Sequence, residues 1–530
     1  MAGDGMFGRQ RVGIGETCPS SRDERAGVRA PIVAGKPGNS GGAKGAQEGG
    51  SVMNGSKETK RAEVPLLLFA EQQTAQQARE IRSRWDWAEP EVWTVRMLRT
   101  LEEGVKGGKW FRLVDKVYNP SNLRKAFARV KANGGGAGVD HVTVEMFARD
   151  LDANLEKLAR SLKDGTYRPQ EIKRHWIPKP GSNEKRPLGI PTVRDRVVQT
   201  AMRSVLEPIF EREFAEHSYG FRPKRGCKDA LRRVADLSSK GYTWVVDADL
   251  KSYFDTIPHE PLMKLVEERV ADGKVLSLIR AFLKQGVLEG LKRWTPEEGS
   301  PQGAVISPLL SNIYLNPLDQ MMAREGFEMV RYADDFVILC RSREEADAAL
   351  ERVRQWTAQA GLKLHPEKTR IVHIERDDSG PGDGFDFLGY RFKEQWKLVR
   401  DKSLKKIKET IREKTPRRNG KSLQEIIHNL NRTLRGWFEY FKDSVRNQHD
   451  DLDGFIRRRL RSMLMRRRKK KGNGRGNAQT LFPNSFFAKM GLYSLEAAHI
   501  AARNPVSGKT ANWRAGCGKT ARPVRREGGR

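Results

Sequence analysis

Cysteine is scarce and scattered in this 530-residue chain: Cys18, Cys227, Cys340 and Cys517 stand singly, with no C-x-x-C pair. That spacing argues against a zinc ribbon or a disulfide framework and fits a reducing cytosol. Long apolar runs are missing as well. No stretch approaches the roughly 20 residues of a membrane-spanning helix, and the N-terminal MAGDGMFGRQ has no apolar signal-peptide core. Acidic residues are short too: 67 Asp and Glu face 99 Lys and Arg, a formal charge of +32. Such an excess points to a polyanionic partner, most simply nucleic acid, with no membrane among the expected partners. The expected location is therefore the cytoplasm.

At 530 residues the chain has room for two to four domains or one large multi-lobed enzyme. Hydrophobic residues make up 37% of the chain, enough for real cores. Residues 1–60 are rich in Gly, Ser and charge, and little fixed structure is expected there. Over 61–120 helical segments carry Trp85, Trp87, Trp93 and Trp110, read as packing anchors. From 121 to 390 helical and strand patterns alternate. Asp195 to Phe214 repeats apolar residues at helical spacing, and Trp244 to Leu250 (WVVDADL) reads as a strand. Ser342 and Glu345 predict a capping box, with Gly361 as the stop of that helix. Beyond 390 the chain turns helical and basic, and ten of the fifteen residues from Arg457 to Lys471 are Lys or Arg.

The chemistry concentrates at Tyr332-Ala333-Asp334-Asp335, between the apolar runs Met329–Arg331 and Phe336–Leu339. The pattern predicts a strand, a tight turn and a strand, with both acids at a hairpin tip. Metal-assisted nucleotidyl transfer needs two divalent ions roughly 4 Å apart, bridged by carboxylates. Two acids on one turn cannot do this alone. Asp249, ending WVVDADL, is the first candidate for the third, with Asp247 on the same strand face as the alternative. Phe254 lies where an aromatic could press on a nucleotide sugar and exclude a 2′-hydroxyl. Gln302, in the loop Gly299-Ser-Pro-Gln-Gly303, could feel the minor-groove edge of a base pair. Lys179 and Arg186, on two predicted strands joined by a turn, could grip a triphosphate.

These residues fall within a longer series of blocks: IPKP with RPLGIP and DRVVQ at 177–199, HSYGFRP at 217–223, DADLKSYFD at 247–255 and GSPQGAVISPLLSNIYL at 299–315. RYADDFVIL at 331–339, LKLHPEKT from Leu362, FLGY at 387–390 and LRGWFEYF at 434–441 follow. In order and spacing the chain resembles group II intron-encoded reverse transcriptases, which double as maturases, over roughly 120–470. The resemblance implies an α+β right-hand polymerase of fingers, palm and thumb. Fingers and palm would span 121–390, a thumb or maturase domain 391–485, and a basic tail 486–530 without an endonuclease. Asp249, Asp334 and Asp335 would be the catalytic acids, holding two Mg²⁺ ions. Tyr332 and Ala333 would complete the active-site hairpin at the primer grip, with Lys179, Arg186, Phe254 and Gln302 as nucleotide contacts.

The implied partners are group II intron RNA, an RNA template with a DNA primer, target DNA and dNTPs, with a homodimer left open. The expected RNA face comprises Arg432, Arg435, Arg457, Arg458, Arg459, Arg461, Arg466, Arg467, Arg468, Lys469, Lys470 and Lys471. Ser300 and Ala304 depart from the Thr and Gly commoner in the family's loop block. The expected activity is RNA-directed DNA polymerisation coupled to maturase action in splicing and retrohoming. A splicing-only RNA-binding maturase and a host-adopted defence reverse transcriptase are the alternatives.

Overall fold

The computed structural model describes residues 75–178, 185–375, 383–418, 420–469 and 476–504. In chain order its strands are β1 (Ile172–Pro178), β2 (Lys185–Ile190), β3 (Trp244–Asp249), β4 (Val287–Glu289), β5 (Lys292–Trp294) and β6 (Glu328–Tyr332). They continue with β7 (Asp335–Cys340), β8 (Arg370–His373), β9 (Phe385–Phe387), β10 (Tyr390–Lys393) and β11 (Trp396–Val399). They form three sheets, ordered β6-β7-β3-β8, β2-β1-β4-β5 and β11-β10-β9.

The first sheet is the palm, and both its faces are covered, which is why β7 is apolar throughout. Phe336, Ile338 and Cys340 enter a core shared with the helices Ser307–Arg324 and Arg343–Gln359. Val337 and Leu339 enter a second core with the helix Cys227–Ser239 and the third sheet. A strand buried on both sides reads as a continuous hydrophobic run, and period-2 alternation disappears from its sequence.

The helix Val193–Glu211 carries the predicted apolar face, with Val198, Ala201, Val205, Leu206 and Ile209 all buried. Trp93 is fully buried, donates its indole N–H to the Ser204 carbonyl at 3.1 Å and packs edge-on to Trp110 at 5.2 Å. The Arg343–Gln359 helix starts at Ser342, whose hydroxyl accepts from the Glu345 N–H at 3.2 Å. The reciprocal bond shifts by one residue: the Glu345 carboxylate accepts from Arg341 N at 2.7 Å. Gly361 follows at φ +68°, the left-handed stop.

A third core belongs to the thumb. There the helices Asp401–Lys414, Leu423–Phe441, Arg446–Arg467 and Leu495–Arg503 close around Ile411, Leu430, Leu434, Ile456 and Leu460. Fingers sheet, palm sheet and helical thumb make up the expected α+β right hand. No helix among the described residues is long and apolar enough to cross a membrane.

Candidate active site at the palm hairpin

The β6–β7 connection is the predicted two-residue turn. Tyr332 pairs with Asp335 across the hairpin, leaving Ala333 and Asp334 at the bend. Ala333 takes φ +61°, a strained value for a residue with a Cβ, so something must hold it. That support is Arg331, fully buried behind the turn. Its guanidinium grips both oxygens of Asp319, with Nε at 2.8 Å from Oδ1, and donates to Asn312 Oδ1 at 2.9 Å. One of its N–H groups also donates to the Ala333 carbonyl at 2.8 Å. From the other side comes Gly220, where a Cβ would lie 2.1 Å from Ala333 N. Only glycine permits that approach.

Asp249 ends β3 directly opposite Asp335. The segment after β3 and the loop before β8 then run together: Lys251 N donates to the Lys363 carbonyl, and His365 N to the Asp249 carbonyl at 2.7 Å. This delivers Lys368, whose ammonium pairs with Asp249 Oδ2. Asp247 lies on the same face but faces Arg370, with Nε at 3.6 Å. Burial raises the Asp247 carboxyl to about 6 against the pull of Arg370. Asp335 is pushed up to about 7, first by burial and then by Asp247, Asp334 and Asp249. Burial, reinforced by Asp249, raises Asp334 as well. Among the described residues no three acids, His or Cys converge as a preassembled cation cage.

A cavity of about 610 Å³ opens at the hairpin and brings together Asp249, Asp334, Lys368, Arg186, Phe254 and Gln302. Phe254 is held edge-to-face by Phe221 at 6.5 Å and Tyr253 at 5.5 Å. The Gln302 loop closes onto β2 through a bond from Gly189 N to the Gln302 carbonyl at 2.6 Å. At Gly303, φ +105°, a Cβ would lie 2.4 Å from the Gly189 carbonyl oxygen. Gln199, on the Val193–Glu211 helix, pins the loop's exit by accepting from Val305 N at 2.7 Å. Tyr332 and Asp335 do not line the cavity. Lys179 lies outside the described residues.

Sequence reasoning named the acids and the cavity walls but gave no role to Arg331, Gly220, Phe221, Lys368 or Gln199. Each stands inside a motif block, and its neighbourhood to the acids is a tertiary fact.

The expected RNA face is not continuous. Arg432 and Arg435 are exposed on the Leu423–Phe441 helix, as are Arg466, Arg467, Arg468 and Lys469 at the end of the next. Arg461 corrects the expectation. It is buried, donating to the Phe482 carbonyl at 2.8 Å and to Asn484 Oδ1 at 2.6 Å. Arg459 donates to the Thr415 carbonyl at 2.6 Å, and Arg457 lies 3.6 Å from Asp450. Arg458 is half-buried; Lys470 and Lys471 lie outside the described residues.

Residues 177–392 match the family Reverse transcriptase (RNA-dependent DNA polymerase), and residues 404–482 match the Group II intron, maturase-specific domain. The chain is 38% identical over 324 residues to Protein YkfC of Escherichia coli (strain K12), covering 53% of this chain and 82% of that one. It is 39% identical over 213 residues to the Group II intron-encoded protein LtrA of Lactococcus lactis subsp. cremoris, covering 40% of this chain and 35% of LtrA. A solved chain of the "Partial Cas6-RT-Cas1--Cas2 complex" aligns at TM-score 0.31 and 24% identity, over 47% of this chain and 41% of that chain. That likeness is too loose to carry an argument. The reverse transcriptase and maturase domains, in that order on one chain, make this protein a member of the group II intron-encoded reverse transcriptase and maturase family.

Proposed function

We propose that the palm cavity catalyses RNA-templated DNA synthesis, in which a primer 3′-hydroxyl attacks the α-phosphate of a dNTP and pyrophosphate departs. One observation carries this reading: Asp249 faces Asp335 across paired strands, with Asp334 on the adjoining turn, at a cavity walled by Arg186, Gln302 and Phe254.

The acids fit divalent ions by their chemistry. All the donors are hard carboxylate oxygens, one already holds the Lys368 ammonium, and burial followed by the neighbouring acids Asp247, Asp334 and Asp249 pushes Asp335 up to about 7. Mg²⁺, as two ions, is the cofactor we assign; when bound it would supply the charge that activates the primer hydroxyl and steadies the leaving pyrophosphate. The chain's own residues do the rest. Arg186 offers a bidentate fork to the triphosphate. Phe254, fixed between two rings, stands as a wall against a 2′-hydroxyl. The Gly303 backbone, free of a side chain, lets the nascent base pair approach Gln302.

For the thumb we assign intron RNA, bound by the exposed cations Arg432, Arg435 and Arg466 to Lys469. Preferential binding of the folded intron would stabilise that fold by mass action. Target DNA enters as the primer's source.

Primer extension on an RNA template with Mg²⁺, comparing wild type with Asp334→Ala, tests the proposal. Loss of synthesis by about a thousandfold, with intron RNA binding retained, is expected. Intron binding without synthesis by the wild type would leave the splicing-only maturase. Phe254→Ala should raise ribonucleotide incorporation about tenfold or more; an unaltered sugar preference would remove the gate.

A further inference from the structure

We propose that Trp176, Arg174 and Trp294 on the fingers sheet form a seat for an unpaired base of the template strand ahead of the catalytic cavity. This rests on the polymerase reading above and deepens it.

Alternation along β1 puts Arg174 and Trp176 on one face. The parallel pairing of β1 with β4, and the β4–β5 hairpin, bring Trp294 beside them. The Arg174 guanidinium lies 5.9 Å from the Trp176 ring centre and 5.0 Å from that of Trp294. Trp176 is fixed in turn, donating its indole N–H to Glu289 Oε1 at 2.6 Å. Rings held this firmly are normally buried, as Trp93 is. Here Trp176 remains 40% and Trp294 36% exposed. A preorganised, solvent-facing Trp–Arg–Trp array loses little entropy when a third flat group is added to it.

Its position selects the occupant. Arg174 and Trp294 line a cavity of about 200 Å³ with Gly299, Ser300 and Pro301, whose loop carries Gln302 on its other side. Phe254 and Asp255 line both this cavity and the catalytic one, so the two meet across the Phe254 ring. A strand leaving the active site past Phe254 runs onto the array.

The charges select which part of that strand sits there. Asp255 and Glu298 line the small cavity with Arg174, and Glu289 holds Trp176, so three carboxylates outnumber the one guanidinium, which is itself engaged with both rings, and a phosphate is disfavoured. The flat faces accept any base, as a template of arbitrary sequence requires.

Binding of full-length protein to a fluorescent DNA primer annealed to an RNA template tests the seat. The template either carries several unpaired nucleotides at its 5′ end or ends flush with the primer. We expect wild type to prefer the overhang, Trp294→Ala to lose that preference about tenfold, and Trp294→Phe to keep most of it. An identical overhang preference in wild type and Trp294→Ala would overturn the seat and leave the array a surface stack. Wild-type primer extension on the same preparations reads the polymerase assignment separately. Loss of the overhang preference in Trp294→Ala supports the seat whether or not nucleotides are added.

Discussion

Arginine does opposite work in the palm and in the thumb. In the palm a single Arg331 is fully buried and hydrogen-bonded to Asp319, Asn312 and the Ala333 carbonyl. It converts a strained turn into a rigid platform for two acids. In the thumb ten basic residues crowd one short stretch, and those described there divide: Arg461, Arg459 and Arg467 donate to carbonyls of neighbouring segments, while Arg466 and Lys469 are exposed. Charge density therefore does not report role. The partner does: a buried guanidinium must be fully bonded, whereas an exposed one is available to phosphate.

Arg331 offers the largest break in that comparison. Arg331→Met alone should destabilise the chain by about 3–5 kcal/mol, because Asp319 is left buried and unpaired. Arg331→Met with Asp319→Leu should recover most of that stability in urea unfolding. The Ala333 carbonyl would still lack its bond, and kcat should remain down by about a hundredfold. Full recovery of rate together with stability would reduce Arg331 to a packing residue.

The next largest effect concerns pH, and the two regions should respond in opposite senses. In the thumb His449 is fully buried, lies tilted against His499 at 4.8 Å and meets Ser444 Oγ at 3.0 Å. Burial, and then His499, lowers it to about 4. Between pH 6.5 and 4 the unfolded chain binds the extra proton, so thumb stability falls as pH falls, by up to about 3 kcal/mol. In the palm Asp335 and Asp247 are raised to about 7 and 6. There the folded state holds the extra protons, so without divalent cation palm stability falls as pH rises from about 4 to 7. Amide hydrogen exchange across this range should show protection rising with pH in the thumb and falling in the palm. His449→Phe should flatten the thumb's slope, and Mg²⁺ the palm's. Slopes that both rise with pH would contradict the palm assignment, and slopes that both fall would contradict that of the thumb.

Within the thumb, Arg461→Ala should cost about 2 kcal/mol of stability, since the Phe482 carbonyl and Asn484 lose their donor. Its salt dependence of RNA binding should not move. Arg466→Gln should do the reverse, leaving the melting temperature in place and lowering the salt slope by about 1. The comparison fails if both substitutions change the same property.

The elements with a single strong local signal were readable in the chain. The Val193–Glu211 helix shows its period, β3 its β-branched run, and Tyr332-Ala333-Asp334-Asp335 its apolar flanks. For the third acid the chain ranked Asp249 ahead of Asp247, since both share one strand face and Asp249 lies nearer the strand's end. What the chain could not show is their surroundings: Arg370, arriving on β8, faces Asp247, while β7 sets Asp335 opposite Asp249.

By itself the chain determined which acids, cations and aromatic side chains are available, since residue type and local period are properties of neighbours in sequence. Only the tertiary structure decided which of those groups meet. Lys368 reaches Asp249, Gly220 clears the space behind Ala333, and Arg461 turns inward. Those outcomes depend on contacts between residues far apart in the chain, where no local pattern records which partner a buried charge will find.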